Sequence, residues 1–304
     1  MRNWIIGVFS FVAGVAFGYQ NYHGVSFSSN GLDGWVCCLN QPYPPVIHTT
    51  DGWQSWSSQT RGPQYKTYDI FFLNDTLGWT AGDLNEVRRT TDGGNTWTLQ
   101  TIGTGKCFPR IYFIDERHGW AAGGDGMLGI TTNGGTNWQD KYLPISHTDC
   151  YGVFFIDSLN GWLVSRAAPD TGVVIDTSCI FRTASGGNYW TPQYKSPQTY
   201  DFLDVRFVDL NSGWVCGGYR ADEKAIIFYS TNGGAIWNLQ SLPDDAYYLR
   251  SLDFVQGRVG FAVGKYGTIL HTTDGTNWEL QESGVTVTLF DVDFIDSLRG
   301  VSYY

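Results

Sequence analysis

The stretch TTDGGNTW, Thr90 to Trp97, decides the fold because it returns five more times. The other copies read TTDGWQSW at Thr49 to Trp56, TTNGGTNW at Thr131 to Trp138, TASGGNYW at Thr183 to Trp190, STNGGAIW at Ser230 to Trp237 and TTDGTNW at Thr272 to Trp278. Asp and Asn side chains accept backbone amides two residues further on, and Gly tolerates the positive φ of a tight hairpin. Asp51, Asp92, Asn133, Asn232 and Asp274 therefore read as turn-makers. Each following Trp opens a strand and buries about 150–250 Å². Every repeat carries the phrase, whereas an active site occurs once, so the phrase is architecture rather than chemistry.

Upstream of these turns lies a second phrase, an apolar strand ending in Asp or Asn, four residues, then Trp. It reads IFFLNDTLGW at 70–79, IYFIDERHGW at 111–120, VFFIDSLNGW at 153–162 and VRFVDLNSGW at 205–214, with degenerate copies LDFVQGRVGF at 252–261 and VDFIDSLRGV at 292–301. Together the two phrases define four short strands per unit at a period of about 40 residues, the sequence form of a β-propeller blade. The chain of 304 residues is thus expected to be all-β, with one propeller domain over 19–304.

The composition agrees. Aromatic residues make up 16% of the chain, with 13 Trp and 38 Gly, which suits short strands and tight turns around large buried rings. The net charge of −10 and the lack of a basic stripe exclude a nucleic-acid footprint, which needs clustered Lys and Arg. At the N-terminus Arg2 precedes an uncharged run from Trp4 to Gly18, shorter than the roughly 20 residues of a spanning helix. Residues 1–18 read as a signal peptide. The mature chain is expected to have no transmembrane span and to be secreted, periplasmic or on the cell surface. Six cysteines, at 37, 38, 107, 150, 179 and 216, are compatible with disulfides after export, such as a Cys107–Cys150 bridge between blades, or equally with buried thiols. Neither they nor the five scattered His residues show a metal-binding spacing, and no phosphate loop or nucleophile elbow is present, so no metal or cofactor is expected.

The turn phrase resembles the Asp-box, or BNR repeat, of sialidases, sortilin-type receptors and some xyloglucanases. The pairing of FID-x4-GW with TTDGG-x-TW is similar, more specifically, to the photosystem II stability/assembly factor family and its bacterial relatives, over roughly residues 24–301. The resemblance implies a seven-bladed propeller, here with a last blade that is incomplete or closed by the N-terminal segment. It also implies a non-catalytic scaffold with a protein partner, held by an arginine-bearing surface at which Arg89 and Arg182 fall in comparable repeat positions.

Variable loops on a rigid scaffold carry binding residues. The long connections at Asn40–Pro45, Arg166–Thr177 and Tyr219–Lys224 place the working face opposite the repeated turns. Tyr and Arg are enriched in interface hot spots, which nominates Tyr65, Tyr200, Arg220, Tyr247, Tyr248 and Arg250 as contacts for a macromolecule. Near the channel, the starts of the inner strands bring Asp69, Arg110, Gly152, Asp204, Ser251 and Asp291 to one level, with Arg206, Asp253 and Asp293 two residues further in. An alternative function, a glycan-directed hydrolase or lectin, would use Asp69, Asp204 and Asp291 as its acids across an open cleft. The competing reading is that these charges pair with one another between adjacent inner strands.

Overall fold

The computed structural model describes residues 22–28, 30–39, 46–52, 54–59, 66–103, 107–145, 148–167, 177–196, 200–255, 257–296 and 299–303. The leader expected at 1–18, Tyr65, and most of the first two long connections lie outside the described residues. Six antiparallel four-stranded sheets follow one another along the chain, and a two-stranded sheet comes last. The innermost strands are Tyr22–Phe27, Thr67–Phe72, Arg110–Phe113, Thr148–Phe155, Tyr200–Phe207 and Leu249–Val255, in blades 1 to 6. Among the described residues no helix is long and apolar enough to cross a membrane.

The expectation of seven blades is corrected to six. A four-stranded blade needs a third strand and an Asp-box hairpin, and the sequence carries six such hairpins. After the sixth, Asp291–Asp296 and Arg299–Tyr303 pair with each other and, among the described residues, with no further strand, and the first of them packs against the inner strands of blades 6 and 1. Among the described residues no N-terminal strand joins the last sheet. Tyr22–Phe27 pairs with Gly34–Cys38 as the innermost strand of blade 1.

The repeated phrases account for the cohesion between blades. Phe72, Phe113, Phe155 and Phe207 each sit opposite the Gly of a Gly-Trp pair, and each ring occupies the space a Cβ would need there. The Trp of each pair reaches into the next blade. Trp35, Trp79, Trp120 and Trp162 stack on Phe72, Phe113, Phe155 and Phe207 with centroids 3.5–3.6 Å apart. Their indole N–H groups donate to the carbonyls of Gly93, Gly134, Gly186 and Gly233 in the Asp-boxes of those next blades, at 2.9–3.1 Å. The Asp-box Trp then meets the same Phe edge-on, as Trp97 meets Phe72.

The turn itself follows its sequence. Asp92 Oδ1 accepts the Thr96 amide at 2.8 Å and the Thr90 hydroxyl at 2.8 Å, while Thr90 Oγ1 accepts the Gly94 amide at 2.9 Å. Gly93 and Gly94 take φ of 70° and 90°. Donors of this kind stabilise the ionised carboxylate: at Asp51, hydrogen bonds from the Ser55 hydroxyl and amide draw the pKa down to about 2.

Candidate functional site

Around the central channel the inner strands stack their side chains in three levels of seven. The middle level is Gly24, Asp69, Arg110, Gly152, Asp204, Ser251 and Asp291. Two of its members are glycine for a reason of space: a Cβ on Gly152 would come within 3 Å of the Asp204 Cα and the Leu203 carbonyl in the adjacent blade. The level below is Ser26, Phe71, Tyr112, Phe154, Arg206, Asp253 and Asp293, all lining a cavity of about 450 Å³. The level above is His23, Tyr68, Pro109, Tyr151, Leu203, Arg250 and Phe290, all lining a second cavity of about 370 Å³ on the opposite side. Arg110 borders both cavities and separates them.

The three acids nominated for hydrolysis do converge, on this one guanidinium. Arg110 lies 3.5 Å from Asp69, 3.7 Å from Asp204 and 3.3 Å from Asp291. Burial opposes the Arg110 charge, but Asp291, Asp204 and Asp69 outweigh it and push its pKa up. Each acid also takes a backbone amide from the next sector. Asp69 accepts Ile111 N–H at 2.8 Å, Asp204 accepts Leu252 N–H at 3.2 Å, and Asp291 accepts Val25 N–H at 3.1 Å. The level below repeats the pattern, with Asp253 accepting Phe294 N–H at 2.9 Å and Asp293 accepting Phe27 N–H at 2.7 Å. Arg206 pairs with Asp204 of its own strand at 2.9 Å and not with Asp253. Buried carboxylates committed in this way fasten blade to blade. The oxygens of Asp69, Asp204 and Asp291 are engaged by Arg110, by backbone amides and by Ser251, whereas a glycosidase keeps its acid and base free to meet substrate and water.

Desolvation marks these groups. Burial raises Asp69 to about 7 against the opposing Arg110 charge, and raises Asp253 to about 6 against Arg206. Asp293 is pushed well above the ordinary carboxylate range, by burial first and then by the Asp253 charge. A carboxyl with a raised folded pKa takes up a proton on folding. Its contribution to stability is whole below an unfolded pKa of about 4 and is lost as pH rises toward the folded value. Asp293→Asn removes that loss while still offering an oxygen to Phe27. The melting temperature of the variant minus that of the parent should therefore increase between about pH 4 and pH 7. A difference that stays flat or shrinks would contradict this assignment.

The level above contains residues that sequence reading missed. In five blades the ladder between the first two strands slips by one residue, at His23, Tyr68, Tyr151, Leu203 and Arg250. Strict alternation points neighbours to opposite faces of a sheet, and the bulge re-aims these side chains into the channel mouth. His23 lies 4.7 Å from the Phe290 ring and 5.7 Å from Tyr68. Burial, then the Arg110 and Arg250 charges, lowers its pKa to about 4, so the ring is neutral at pH 7.

The nominated contacts among the described residues divide into four groups. Arg250 lines the upper cavity. Tyr248 is buried, and its hydroxyl donates to Asp201 Oδ2 at 2.6 Å; Arg220 Nε donates to Asp201 Oδ1 at 2.7 Å, and Arg166 Nε lies 3.1 Å from Asp201. Tyr200 packs half-buried among Phe202, Tyr219 and Phe228. Tyr247 stands apart, beneath Lys224 and edge-on to Tyr266. Arg166, Arg220, Arg250 and Lys265 thus gather over blades 4 to 6 around Asp201 and Glu223. Arg182 lies over the Trp162 ring, and His48 and Tyr229 hold the equivalent places on Trp35 and Trp214, so that repeat position supports the tryptophan stacks. All six cysteines are unbridged, and five are buried within blades. Among the described residues no group of three or more His, Cys, Asp or Glu is placed to hold a metal ion.

A family model described as photosynthesis system II assembly factor YCF48 matches residues 58–197 and 182–286. The chain belongs to this family. The Photosystem II assembly lipoprotein Ycf48 of Synechococcus sp. (strain CC9902) is 40% identical to it over 80 residues, which span 25% of this chain and 22% of that protein. Two solved structures share the fold. YCF48 from Cyanidioschyzon merolae superposes with a TM-score of 0.67 at 17% identity, covering 93% of this chain and 92% of that one. YCF48 bound to D1 peptide superposes with a TM-score of 0.69 at 17% identity, covering 93% and 90%.

Proposed function

We propose that this chain is a non-catalytic, exported propeller of the photosystem II assembly-factor family that captures an extended segment of a protein such as D1 at the upper mouth of its channel. The observation that carries this reading is the ring of side chains at that mouth. Tyr68, Tyr151, Leu203 and Phe290 form an apolar wall, and Arg250 and the cations around Asp201 edge it with positive charge. Aromatic and arginine anchors beside a partly enclosed pocket are the composition of a protein-binding hot spot. The peptide named with one structural relative supports the choice of partner class, and the lipoprotein among the relatives supports export. A glycan hydrolase gains nothing from Asp69, Asp204 and Asp291, because Arg110 and backbone amides already occupy their oxygens.

A fluorescently labelled D1 peptide titrated with the purified chain tests the proposal. Saturable binding is expected, weakened roughly 10-fold or more by Tyr151→Ala, since truncating a hot-spot aromatic costs about 2 kcal/mol. Competition by excess unlabelled peptide should abolish the signal. No binding to the parent protein, or equal binding by Tyr151→Ala, would reject capture at this mouth.

A further inference from the structure

We propose that Arg250 is an anion-receiving residue that holds a carboxylate of the captured peptide, with Phe290 and Tyr151 walling the segment beside it. This deepens the capture reading and rests on it. The other guanidiniums nearby are already balanced. Arg110 has three carboxylates, Arg206 has Asp204, and Arg166 and Arg220 share Asp201. Among the described residues no carboxylate lies within salt-bridge reach of Arg250, and its Nε–H is buried without an acceptor.

The side chain is also held in position. The ladder slip at Arg250 turns it into the channel mouth, and its guanidinium lies 5.5 Å from the ring centres of both Tyr248 and Phe290. An unpaired, largely desolvated cation is costly, and an arriving carboxylate would relieve that cost with charge-assisted hydrogen bonds. The cavity favours such a guest. Among the described residues its one lining carboxylate, Asp149, accepts the Asp125 amide at 3.1 Å, and burial first, then the Arg110 and Arg250 charges, keeps the neighbouring His23 neutral. In the lower cavity Arg110 and Arg206 stand among Asp69, Asp253, Asp291 and Asp293, so its cations already have carboxylates beside them.

The carboxylate has two possible sources, a peptide C-terminus or an Asp or Glu side chain. Four forms of a D1 peptide separate them: the free acid, the C-terminal amide, the peptide with acidic side chains replaced by their amides, and the fully neutral peptide. Against the parent protein, neutralising the recognised carboxylate should weaken binding roughly 10–100-fold, the range of a charge-assisted hydrogen bond. Arg250→Gln, verified as folded by its melting temperature, should lose the same factor and bind all four forms alike. A variant that discriminates among the forms as the parent does would overturn the proposal.

Failure of every peptide to bind the parent would reject the capture reading, and a second measurement then decides this one. The Arg250 Nε–Hε resonance should shift saturably with N-acetylphenylalanine and stay still with N-acetylphenylalaninamide. Equal responses, or none, would overturn the anion site on their own.

Discussion

Arg110→Leu should destabilise the propeller by about 3–5 kcal/mol at neutral pH, the cost of stranding buried charges without their partner. Asp69, Asp204 and Asp291 are at most 7% exposed and all lean on this one guanidinium. Leucine fills part of the volume but leaves three carboxylates at close quarters in a desolvated ring. The variant should regain stability relative to the parent as pH falls, because protonation removes the repulsion that Arg110 normally offsets. Adding Asp69→Asn to the variant should recover part of the loss, a non-additive result expected of residues sharing one network. Urea denaturation read by tryptophan fluorescence measures each step. A loss below about 1 kcal/mol, the scale of an exposed pair, would mean that water reaches this ring and screens it.

Trp162→Ala should cost a similar amount, about 3–5 kcal/mol. Trp162 is fully buried, stacks on Phe207 at 3.5 Å and donates to the Gly233 carbonyl at 3.1 Å. One substitution therefore opens a cavity at the junction of blades 4 and 5, frees the Asp-box of the second, and leaves Arg182 without the ring beneath it. Trp162→Phe separates the contributions. It keeps a stacking ring and forfeits the indole donor, so the expected loss is only about 1 kcal/mol. If alanine and phenylalanine cost the same, the hydrogen bond rather than the packing joins the blades.

The Asp-box turns and the Gly-Trp phrases could be read from sequence because their chemistry is local: a side-chain oxygen and amides within four residues, or a ring over the glycine opposite it. The convergence of Asp69, Asp204 and Asp291 was legible too, since equal positions in equal repeats must meet on one ring. Their use was harder to see. That each acid accepts an amide of the following sector depends on how closely inner strands approach, which Gly24 and Gly152 permit by lacking a Cβ. Apart from Arg250, nominated by residue type, the upper ring was not legible because a bulge breaks the two-residue alternation on which strand reading relies. Tyr248 and Arg220 looked like surface contacts by residue type, yet Asp201, distant from Tyr248 in sequence, holds both. The number of blades was taken from resemblance, and counting the Asp-boxes in this chain would have given six.

The junction between the last sheet and blade 1 has a mechanical meaning. Elsewhere successive blades are joined by the covalent chain as well as by their contacts. Here the partners stand 266 positions apart, and the recorded hydrogen bonds across the gap run from the Val25 and Phe27 amides to Asp291 and Asp293. Among the described residues the ring therefore closes like a clasp, through two acidic side chains rather than through a sheet shared by its first and last strands. Tension applied at residues 22 and 303 would fall first on that clasp, and it could part while all six blades kept their ladders.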